Sequence, residues 1–481
     1  MGIEVAQPLR LKGGGAGRAV PHYQLAQARR GASINAQLGM GLWVLLWLGY
    51  NTGPGYAMDP NFPASTVDLI HGVRAFFPML AGWFAFLMIF ARSSRMFTWL
   101  MGPLGLMLLY AATGLVSSAV LSPDPTFALY YGANYLAIVL VLLAIVPVED
   151  PLPDLLRVLK LTWIVGTALT LSLLGAIPFL GPRALIETEN GPVGVRAYGG
   201  APQIMGMAGA RNTGFARYAA ISALVALPGL LRKGSLPVRI IWGMAFTASM
   251  YALIIANGRT EILAFIGSVV IILVAEKTKR TVNILMAIAA AILLGLRGFY
   301  SEFYLYFTRT GHLDTTMTGR TVTWEQAWHF IGESPLVGFG FQADRYFLGQ
   351  HMHNAFLHVL IQSGLLGGGA ILIGLGIVSY YLVRYFFIEQ PSDKSLIPPE
   401  IPAVFLFVMI SSFAESTFAY FSAAWLLSAP IVAYVLALHR HMRRIRAKET
   451  WEKIRSNRLA RRGLRAAGSS DGIEGAPPSA A

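Results

Sequence analysis

The chain has 481 residues, of which 55% are hydrophobic and only 13% are charged. Because a soluble domain carries about a quarter charged residues, this composition excludes an ordinary soluble protein. The absence of cysteine excludes disulfides, thiolate metal sites and cysteine nucleophiles. The net charge is +14, and a basic run at 440–465 directly follows the last apolar block. That position is typical of the cytoplasmic membrane surface and its anionic lipids, an interpretation that we favour over nucleic-acid binding.

Apolar blocks long enough to cross about 30 Å of hydrocarbon recur along the chain. They predict an all-α integral membrane protein of about twelve transmembrane helices, near residues 37–55, 69–91, 97–120, 127–147, 158–180, 213–231, 238–256, 261–276, 281–298, 355–387, 401–420 and 422–438. The last two blocks could instead form one broken hairpin. The predicted organisation is a basic cytoplasmic tail (1–36), helices 1–9 (37–298) with an outer loop at 181–212, a large periplasmic loop bearing short helices (299–354), helices 10–12 (355–438) and a basic cytoplasmic tail with a disordered end (439–481).

The basic residues predict the orientation of these helices. Every connection assigned to the cytoplasmic side contains lysine or arginine, as the positive-inside rule requires, so both termini are expected to be cytoplasmic. All lysines fall on that side, whereas the outer segments carry arginine alone: Arg74, Arg183, Arg196, Arg211, Arg259, Arg297, Arg309, Arg320 and Arg345. A guanidinium offers a rigid fork of donors, so these arginines indicate recognition of a phosphate or carboxylate. A general preference for arginine codons also explains part of the bias.

The large outer loop contains a pattern typical of a helix. In residues 321–332 the apolar side chains recur at three- and four-residue spacing, which predicts a short amphipathic helix along the membrane surface. Many of the aromatic residues in this loop are explained equally well by an interfacial belt without a catalytic role.

Two arginines stand at predicted helix starts on the outer side. Arg259 follows a very short turn and begins the eighth apolar block, where an unpaired charge is costly. Glu261 and a ligand phosphate are competing partners for it. Arg320 follows Gly319 and precedes Trp324 by one helical turn, so that backbone and guanidinium can both approach a ligand.

Two histidines precede the tenth apolar block. His351 and His353 are separated by one residue, and Asn354 follows. A histidine at the water boundary can act as a general base. Because no carboxylate or third histidine stands at a convincing spacing in the sequence, no metal site and no cofactor are predicted.

Four segments together carry a resemblance to a known family: NGRTE at 257–261, TGR at 318–320 followed by Trp324, SPLVGFGF at 334–341 and HNAFLHVLIQSGLLG at 353–367. They resemble the superfamily of O-antigen ligases and O-antigen polymerases, which are bacterial envelope glycan transferases and include exopolysaccharide polymerases. The resemblance is specific over about 250–370. It implies a glycosyltransferase C-like helical fold in the bacterial inner membrane, without a metal. The implied reaction transfers a glycan from undecaprenyl diphosphate to an acceptor sugar hydroxyl on the periplasmic face.

The resemblance also implies roles for individual residues. Arg259 and Arg320 would hold the diphosphate, and His353 would accept the proton of the acceptor hydroxyl. His351 remains an alternative base. The expected substrate-binding residues are Arg211, Arg217, Glu261, Trp324 and Asn354.

The acceptor and one other functional class stay open. A ligase would transfer the glycan to the lipid A core, whereas a polymerase would transfer it to another lipid-linked repeat. A secondary transporter or flippase of lipid-linked glycans is the alternative from another class. Transporters usually carry mid-membrane ionisable residues and repeated halves. The sequence offers Arg217 and Glu415 as such residues and no clear repeat, so we favour the transferase. A membrane scaffold would leave the outer arginines and histidine unexplained.

Overall fold

The computed structural model describes residues 37–49, 73–91, 97–146, 151–180, 196–198, 201–203, 206–207, 210–232, 234–256, 258–276, 320–349, 351–391 and 393–470. Helices account for nearly all of this part of the chain: α1 (Gln37–Gly49), α2 (Phe77–Phe90), α3 (Phe97–Leu100), α4 (Pro103–Val120), α5 (Pro125–Ile145), α6 (Leu152–Leu180), α7 (Asn212–Leu231), α8 (Leu236–Ile255), α9 (Arg259–Glu276), α10 (Arg320–Glu333), α11 (Ala343–Phe347), α12 (Ala355–Val383), α13 (Glu400–Ser411) and α14 (Ala423–Ser470). A π-helical turn (Arg384–Ile388) continues α12, and a 3-10 turn (Lys394–Leu396) precedes α13.

Within the described residues, seven helical segments are long and apolar enough to cross a membrane: Pro103–Val120, Pro125–Ile145, Leu152–Ser172, Gly214–Leu231, Leu236–Ile255, Ala355–Ile388 and Ala423–Leu459. Shorter apolar helices are Gln37–Gly49, Phe77–Phe90 and Glu400–Ser411. Several helices begin where the sequence signals a start. Pro125 stands in the first turn of α5, and the Asp124 carboxylate accepts a hydrogen bond from the Phe127 amide at 3.0 Å. The chain is therefore a multi-pass, all-α integral membrane protein.

Most predicted helices coincide with helices of the structure, and the amphipathic helix predicted at 321–332 is α10. The predicted block at 281–298 lies outside the described residues. Within the outer loop at 181–212, two short antiparallel hairpins form, which the sequence did not predict: β1 (Arg196–Tyr198) with β2 (Ala201–Gln203), and β3 (Gly206–Met207) with β4 (Ala210–Arg211). At the other end, α14 continues from the last predicted span through the basic tail to Ser470.

The predicted span at 401–420 is wrong in its second half. Helix α13 ends at Ser411, and the mostly buried segment 412–422 is not helical. Hydroxyl side chains explain this, because they bond to nearby backbone groups in place of a continuing helix. Ser422 Oγ donates to the Thr417 carbonyl at 2.6 Å and accepts from the Trp425 amide at 3.1 Å, so it caps α14.

A break inside α12 organises the packing around the first half of this helix. Ser363 and Gly364 have non-helical backbone angles, and Gly364 has φ +56° and ψ −163°. The segment 335–340 fills the break with its own backbone. The amides of Phe339 and Gly340 donate to the carbonyls of residues 361 and 362 at 2.8 Å, and the amides of residues 365 and 366 donate to the carbonyls of residues 335 and 336 at 2.8 and 3.0 Å. Buried backbone groups freed by the break are thus satisfied.

Helix α4 anchors the same segment from its other side. Ser117 Oγ donates to the Val337 carbonyl at 2.6 Å, and the Phe341 amide donates to Ser118 Oγ at 2.9 Å. The Phe341 ring enters a space that exists because Gly114 and Gly132 carry no side chain; a Cβ on either would lie 2.6 or 2.7 Å from the ring. Residues 334–341 are therefore held by the two helices α4 and α12.

We expect Gly364→Ala to destabilise the protein strongly. The backbone angles at this position are accessible essentially to glycine alone, at a cost of about 1–3 kcal/mol for other residues. In addition, an added Cβ would lie 2.2 Å from the carbonyl carbon of Leu336. Thermal unfolding of the detergent-purified chain measures the effect.

The matched control for this variant is Gly369→Ala in the same helix, where a Cβ would meet nothing within 4 Å. Alanine is favoured over glycine by about 0.5–1 kcal/mol in a helix interior, so the control should melt at the same or a slightly higher temperature. Equal melting temperatures for the two variants would contradict the packing described at the break.

Candidate functional site

The entry to α12 is fixed by contacts from several elements. The Met352 amide donates to Asp344 Oδ2 at 3.0 Å, and the Met352 carbonyl accepts from Trp324 Nε1 at 3.1 Å. Asn354 Oδ1 caps the helix by accepting from the amides of residues 356 and 357, both at 3.0 Å. Between these anchors, His353 is held at φ +50°, a left-handed conformation that is costly for a side chain of this kind. Strain of this sort is often found at functional sites.

Glu415 joins three basic side chains from different parts of the chain. Its Oε2 atom lies 3.3 Å from His353 Nδ1 and 3.5 Å from a terminal guanidinium nitrogen of Arg217. Its Oε1 atom lies 3.5 Å from one terminal nitrogen of Arg320. The other terminal nitrogen of Arg320 donates to the Ala414 carbonyl at 2.8 Å. The Glu415 side chain is only 4% exposed, whereas His353 and Arg320 are 29% and 23% exposed. The carboxylate is therefore the most buried of these groups, and His353 and Arg320 are the most accessible.

A second carboxylate extends this cluster toward α9. Glu261 Oε1 lies 3.7 Å from Arg217 Nε, and both side chains are buried. The close approach at the start of α9 depends on Gly258, where a Cβ would lie 2.6 Å from Glu261 Oε2. Arg259, the half-buried first residue of α9, stands two positions before Glu261.

The structure brings four of the predicted residues, Arg217, Glu261, Arg320 and His353, into one chain of ion pairs around Glu415. The predicted substrate-binding residues Trp324 and Asn354 are adjacent, but their polar atoms contact backbone: Trp324 donates to residue 352, and Asn354 Nδ2 donates to the Phe413 carbonyl at 3.3 Å. The backbone of Arg211 lies in β4, directly before α7.

Sequence reasoning did not assign Glu415 to the site. The sequence indicates only a mid-membrane ionisable residue, together with Arg217, which is a feature typical of transporters. The useful signal was the pair itself, because a buried charge is retained when a partner compensates it. The sequence separation of 198 residues between the two side chains hid that partnership.

His351 belongs to a different, more deeply buried cluster. Its Nδ1 lies 2.9 Å from Asp344 Oδ2, and its side chain is only 8% exposed. Burial lowers the pKa of His351 to about 4, although the neighbouring Asp344 carboxylate opposes this shift. Burial also raises the pKa of Asp344, but the nearby imidazoles of residues 358 and 351 outweigh it and hold that pKa well below its ordinary value. At neutral pH His351 is therefore uncharged and donates from Nδ1 to an ionised Asp344.

His358 completes this buried cluster. Its Nε2 atom lies 2.7 Å from the side-chain amide of Gln362. With the amide oxygen of Gln362 accepting from His358, the amide nitrogen donates to the Ala419 carbonyl at 2.9 Å. The Tyr110 hydroxyl also contacts Gln362 and donates to the Ala419 carbonyl at 2.7 Å. The network thus connects α4, α11, α12 and the segment 412–422 behind His353.

This cluster corrects one expectation about metal ligands. The sequence offered no carboxylate or third histidine at a convincing spacing, yet the fold places ligand atoms of Asp344, His351 and His358 within 4.8 Å of one another. Asp344 Oδ1 and His358 Nε2 lie 3.1 Å apart, and His358 Nε2 also contacts Gln362. Spacings of seven residues across a loop and a helix start gave no periodic pattern by which to find this group.

Comparisons with known proteins match parts of the chain. Residues 243–373 match the O-antigen ligase family, Wzy_C. These residues form the segment of the chain that is similar to O-antigen ligases. A segment of 91 residues is 33% identical to the exopolysaccharide production protein ExoQ of Rhizobium meliloti (strain 1021). This segment covers 15% of the present chain and 19% of that protein. The chain is thus matched over less than a fifth of the relative's length.

The matched O-antigen ligase segment contains part of the ion-pair chain. Arg259, Glu261, Arg320 and His353 fall inside residues 243–373, and so does the buried cluster around Asp344. Arg217 and Glu415 fall outside it, on helix α7 and after helix α13. The superfamily of O-antigen ligases and polymerases is the one that the sequence motifs indicated, and the two matches support a function of the glycan ligase or polymerase kind.

We expect the protein to work without a divalent metal. Asp344 Oδ2 already accepts hydrogen bonds from the Met352 amide and His351, and a metal at the cluster would have to displace them. Elemental analysis of the purified chain should give far less than one metal ion per molecule, and a chelator should leave its melting temperature and glycan transfer unchanged. One zinc ion per chain that is lost in the His358→Ala variant would contradict this expectation.

Proposed function

We propose that the protein is a glycan transferase that moves a glycan from undecaprenyl diphosphate to an acceptor sugar hydroxyl. The observation that carries this proposal is the cluster in which Glu415 gathers His353, Arg217 and Arg320 beside a helix entry. It combines a group able to accept a proton with guanidinium groups able to hold a diphosphate. The match to the O-antigen ligase family and the exopolysaccharide-linked relative support the same chemistry. On this proposal the protein lies in the inner membrane, with the site on the periplasmic face.

The contact to Glu415 gives His353 a defined task. When Nδ1 carries a proton and donates to the carboxylate, Nε2 is left as the proton acceptor. A general base oriented by a third group is the common arrangement for activating a hydroxyl. The acceptor oxygen then forms the bond to the anomeric carbon while the bond from that carbon to the phosphate oxygen breaks. The proton passes to His353, and the negative charge collects on the departing diphosphate.

The exposed fractions of the arginine side chains indicate two different roles. Arg320 is partly exposed, so its guanidinium can bind a phosphate in a bidentate manner. The half-buried Arg259 at the start of α9 can do the same. Arg217 is only 9% exposed and contacts both Glu261 and Glu415. We therefore assign binding of the diphosphate to Arg259 and Arg320, and positioning of Glu415 to Arg217.

A secondary transporter or flippase of lipid-linked glycans is the second candidate, because buried ion pairs between helices are also found on transport pathways. A deletion strain separates the candidates. Loss of long chains from lipopolysaccharide with lipid-linked polymer retained indicates a ligase, and loss of the polymer itself indicates a polymerase. Accumulation of the lipid-linked donor on the cytoplasmic face would instead indicate a flippase and contradict the proposal.

We expect His353→Ala to lower the transfer rate by about 10²–10⁴-fold, which is the typical cost of removing a general base. His351→Ala should be much milder, because His351 is buried against Asp344 and its pKa of about 4 makes it a weak base. Glu415→Gln keeps the side-chain volume and removes the carboxylate, so it should give an intermediate loss. Rates are measured with purified lipid-linked donor, at equal amounts of membrane-inserted protein. Equal small losses for both histidine variants would exclude His353 as the base.

We expect Arg259→Lys and Arg320→Lys each to impair transfer although the positive charge is kept. Lysine is a point charge and cannot reproduce the bidentate geometry of a guanidinium. Arg345→Lys is the matched control, because Arg345 is exposed on α11 and no ion pair in the described residues involves it. Transfer at the wild-type rate by both site variants would mean that charge alone is sufficient.

A further inference from the structure

A second basic site lies at the far end of α12. A cavity of about 360 Å³ is lined by Arg384, Tyr385, His439, Arg443 and Arg446, and we call it the basic cavity. The 29 residues of α12 separate it from His353, a length of about 44 Å at 1.5 Å per residue. Since a hydrocarbon core is about 30 Å thick, the two sites belong to opposite membrane faces. The chemistry proposed at His353 has no use for the basic cavity.

Side-chain contacts between the end of α12, the π-helical turn and α14 hold the walls of the basic cavity in place. The π-helical turn at Arg384–Ile388 lets Glu389 fold back, so that its oxygens accept from Arg384 Nε and a terminal nitrogen, both at 2.8 Å. Arg446 contacts the same carboxylate from α14. His439 stacks on the Tyr381 ring at 3.9 Å between centroids, and its Nδ1 lies 2.6 Å from the Tyr385 hydroxyl. Short π-helical turns are frequent at functional sites.

The charge of the basic cavity is unbalanced. Hydrogen bonds from Arg384 and then Arg446 lower the pKa of Glu389 to about 2, so this carboxylate is ionised at neutral pH. Three arginines facing one glutamate leave an excess of two positive charges. Within the described part of the chain, no carboxylate pairs with Arg443, which is exposed at the cavity. An anion with several acceptor oxygens fits these donors.

The surface beside the cavity is apolar. Tyr380, Val383, Phe387 and Ile388 are exposed by 56%, 50%, 47% and 71%, and they lie on the same end of α12 as Arg384. Exposed apolar groups next to arginines at the end of a membrane-crossing helix are suited to the boundary between acyl chains and headgroups. A water-soluble phosphate compound would make no contact with this apolar surface, whereas the acyl chains of a lipid would cover it.

We propose that the basic cavity binds the phosphate headgroup of an anionic phospholipid, with the acyl chains lying against Val383, Phe387 and Ile388. The phosphate oxygens accept from Arg443 and Arg446, and the ring of His439 closes the cavity from one side. The bound lipid would join the end of α12 to α14, which together form the cavity. This role is independent of the proposed glycan transfer.

Binding of phosphatidylglycerol to the full, delipidated chain in detergent, followed by native mass spectrometry, tests the proposal. Phosphatidylcholine with the same acyl chains serves as the neutral comparison and should bind much more weakly. In the double variant Arg443→Gln/Arg446→Gln, phosphatidylglycerol should bind at least about tenfold more weakly, as expected for the loss of charge-assisted hydrogen bonds. The single variant Arg443→Gln removes an exposed arginine without an ion pair and should show part of the loss in a fully folded protein.

The matched control is Arg455→Gln/Arg458→Gln, which removes two exposed arginines from α14 beyond the cavity. It should leave phosphatidylglycerol binding nearly unchanged. Equal losses in the cavity and control variants would reduce the effect to general charge attraction and overturn the proposal. Glycerol phosphate, which carries the headgroup charge without acyl chains, should compete poorly with phosphatidylglycerol. If glycerol phosphate displaced phosphatidylglycerol at a comparable concentration, the proposal that the ligand is a lipid would be contradicted. Glycan transfer at the wild-type rate in the control variant verifies that the site at His353 is intact.

Discussion

The backbone hydrogen bonds across the break in α12 are the interaction on which the entry to this helix and the candidate site depend. The amides of Phe339 and Gly340 donate into one side of the break, and this fixes where the chain runs next. Four residues after Gly340, the buried Asp344 accepts a hydrogen bond from the Met352 amide and thereby sets the backbone at His353. In the described residues, Gln342 and His353 are the two non-glycine residues with positive φ, and they stand on either side of this connection. The position of the candidate base thus depends on a helix interrupted ten residues further along.

The buried charges of the site carry a cost that other interactions must offset. Removing a carboxylate and a guanidinium from water is expensive, and their mutual attraction repays this only in good geometry. The separations of 3.5 Å from Glu415 to Arg217 and Arg320 are long for charge-assisted hydrogen bonds. The cluster is therefore better suited to rearrangement around a ligand than to stabilising the fold. The buried cluster of Asp344 and His351, with a contact of 2.9 Å, is the more rigid of the two.

Features set by residues that are close in the sequence could be predicted, whereas features set by residues far apart in the chain could not. Helices such as α5 follow from local apolar runs and caps, and α10 follows from its periodicity. Arg320 and His353 stood out because short motifs surround them. Glu415 and Asp344 did not, since their meaning comes from partners brought together by the fold. The end of α13 at Ser411 depended on hydroxyl side chains bonding to backbone, which an apolar average over 401–420 conceals.

Glu415 has a further consequence for which anions can occupy the site. It is an anion attached to the protein itself, and a tethered group competes at a high effective concentration. Chloride or inorganic phosphate, held by charge alone, would have to displace this carboxylate from Arg320 without other contacts to compensate. On the proposed function, a lipid-linked diphosphate would bring sugar and chain contacts as well and would win the exchange. Once the diphosphate leaves, the carboxylate would pair with Arg320 again, and the site would resist occupation by the common ions of the surrounding solution.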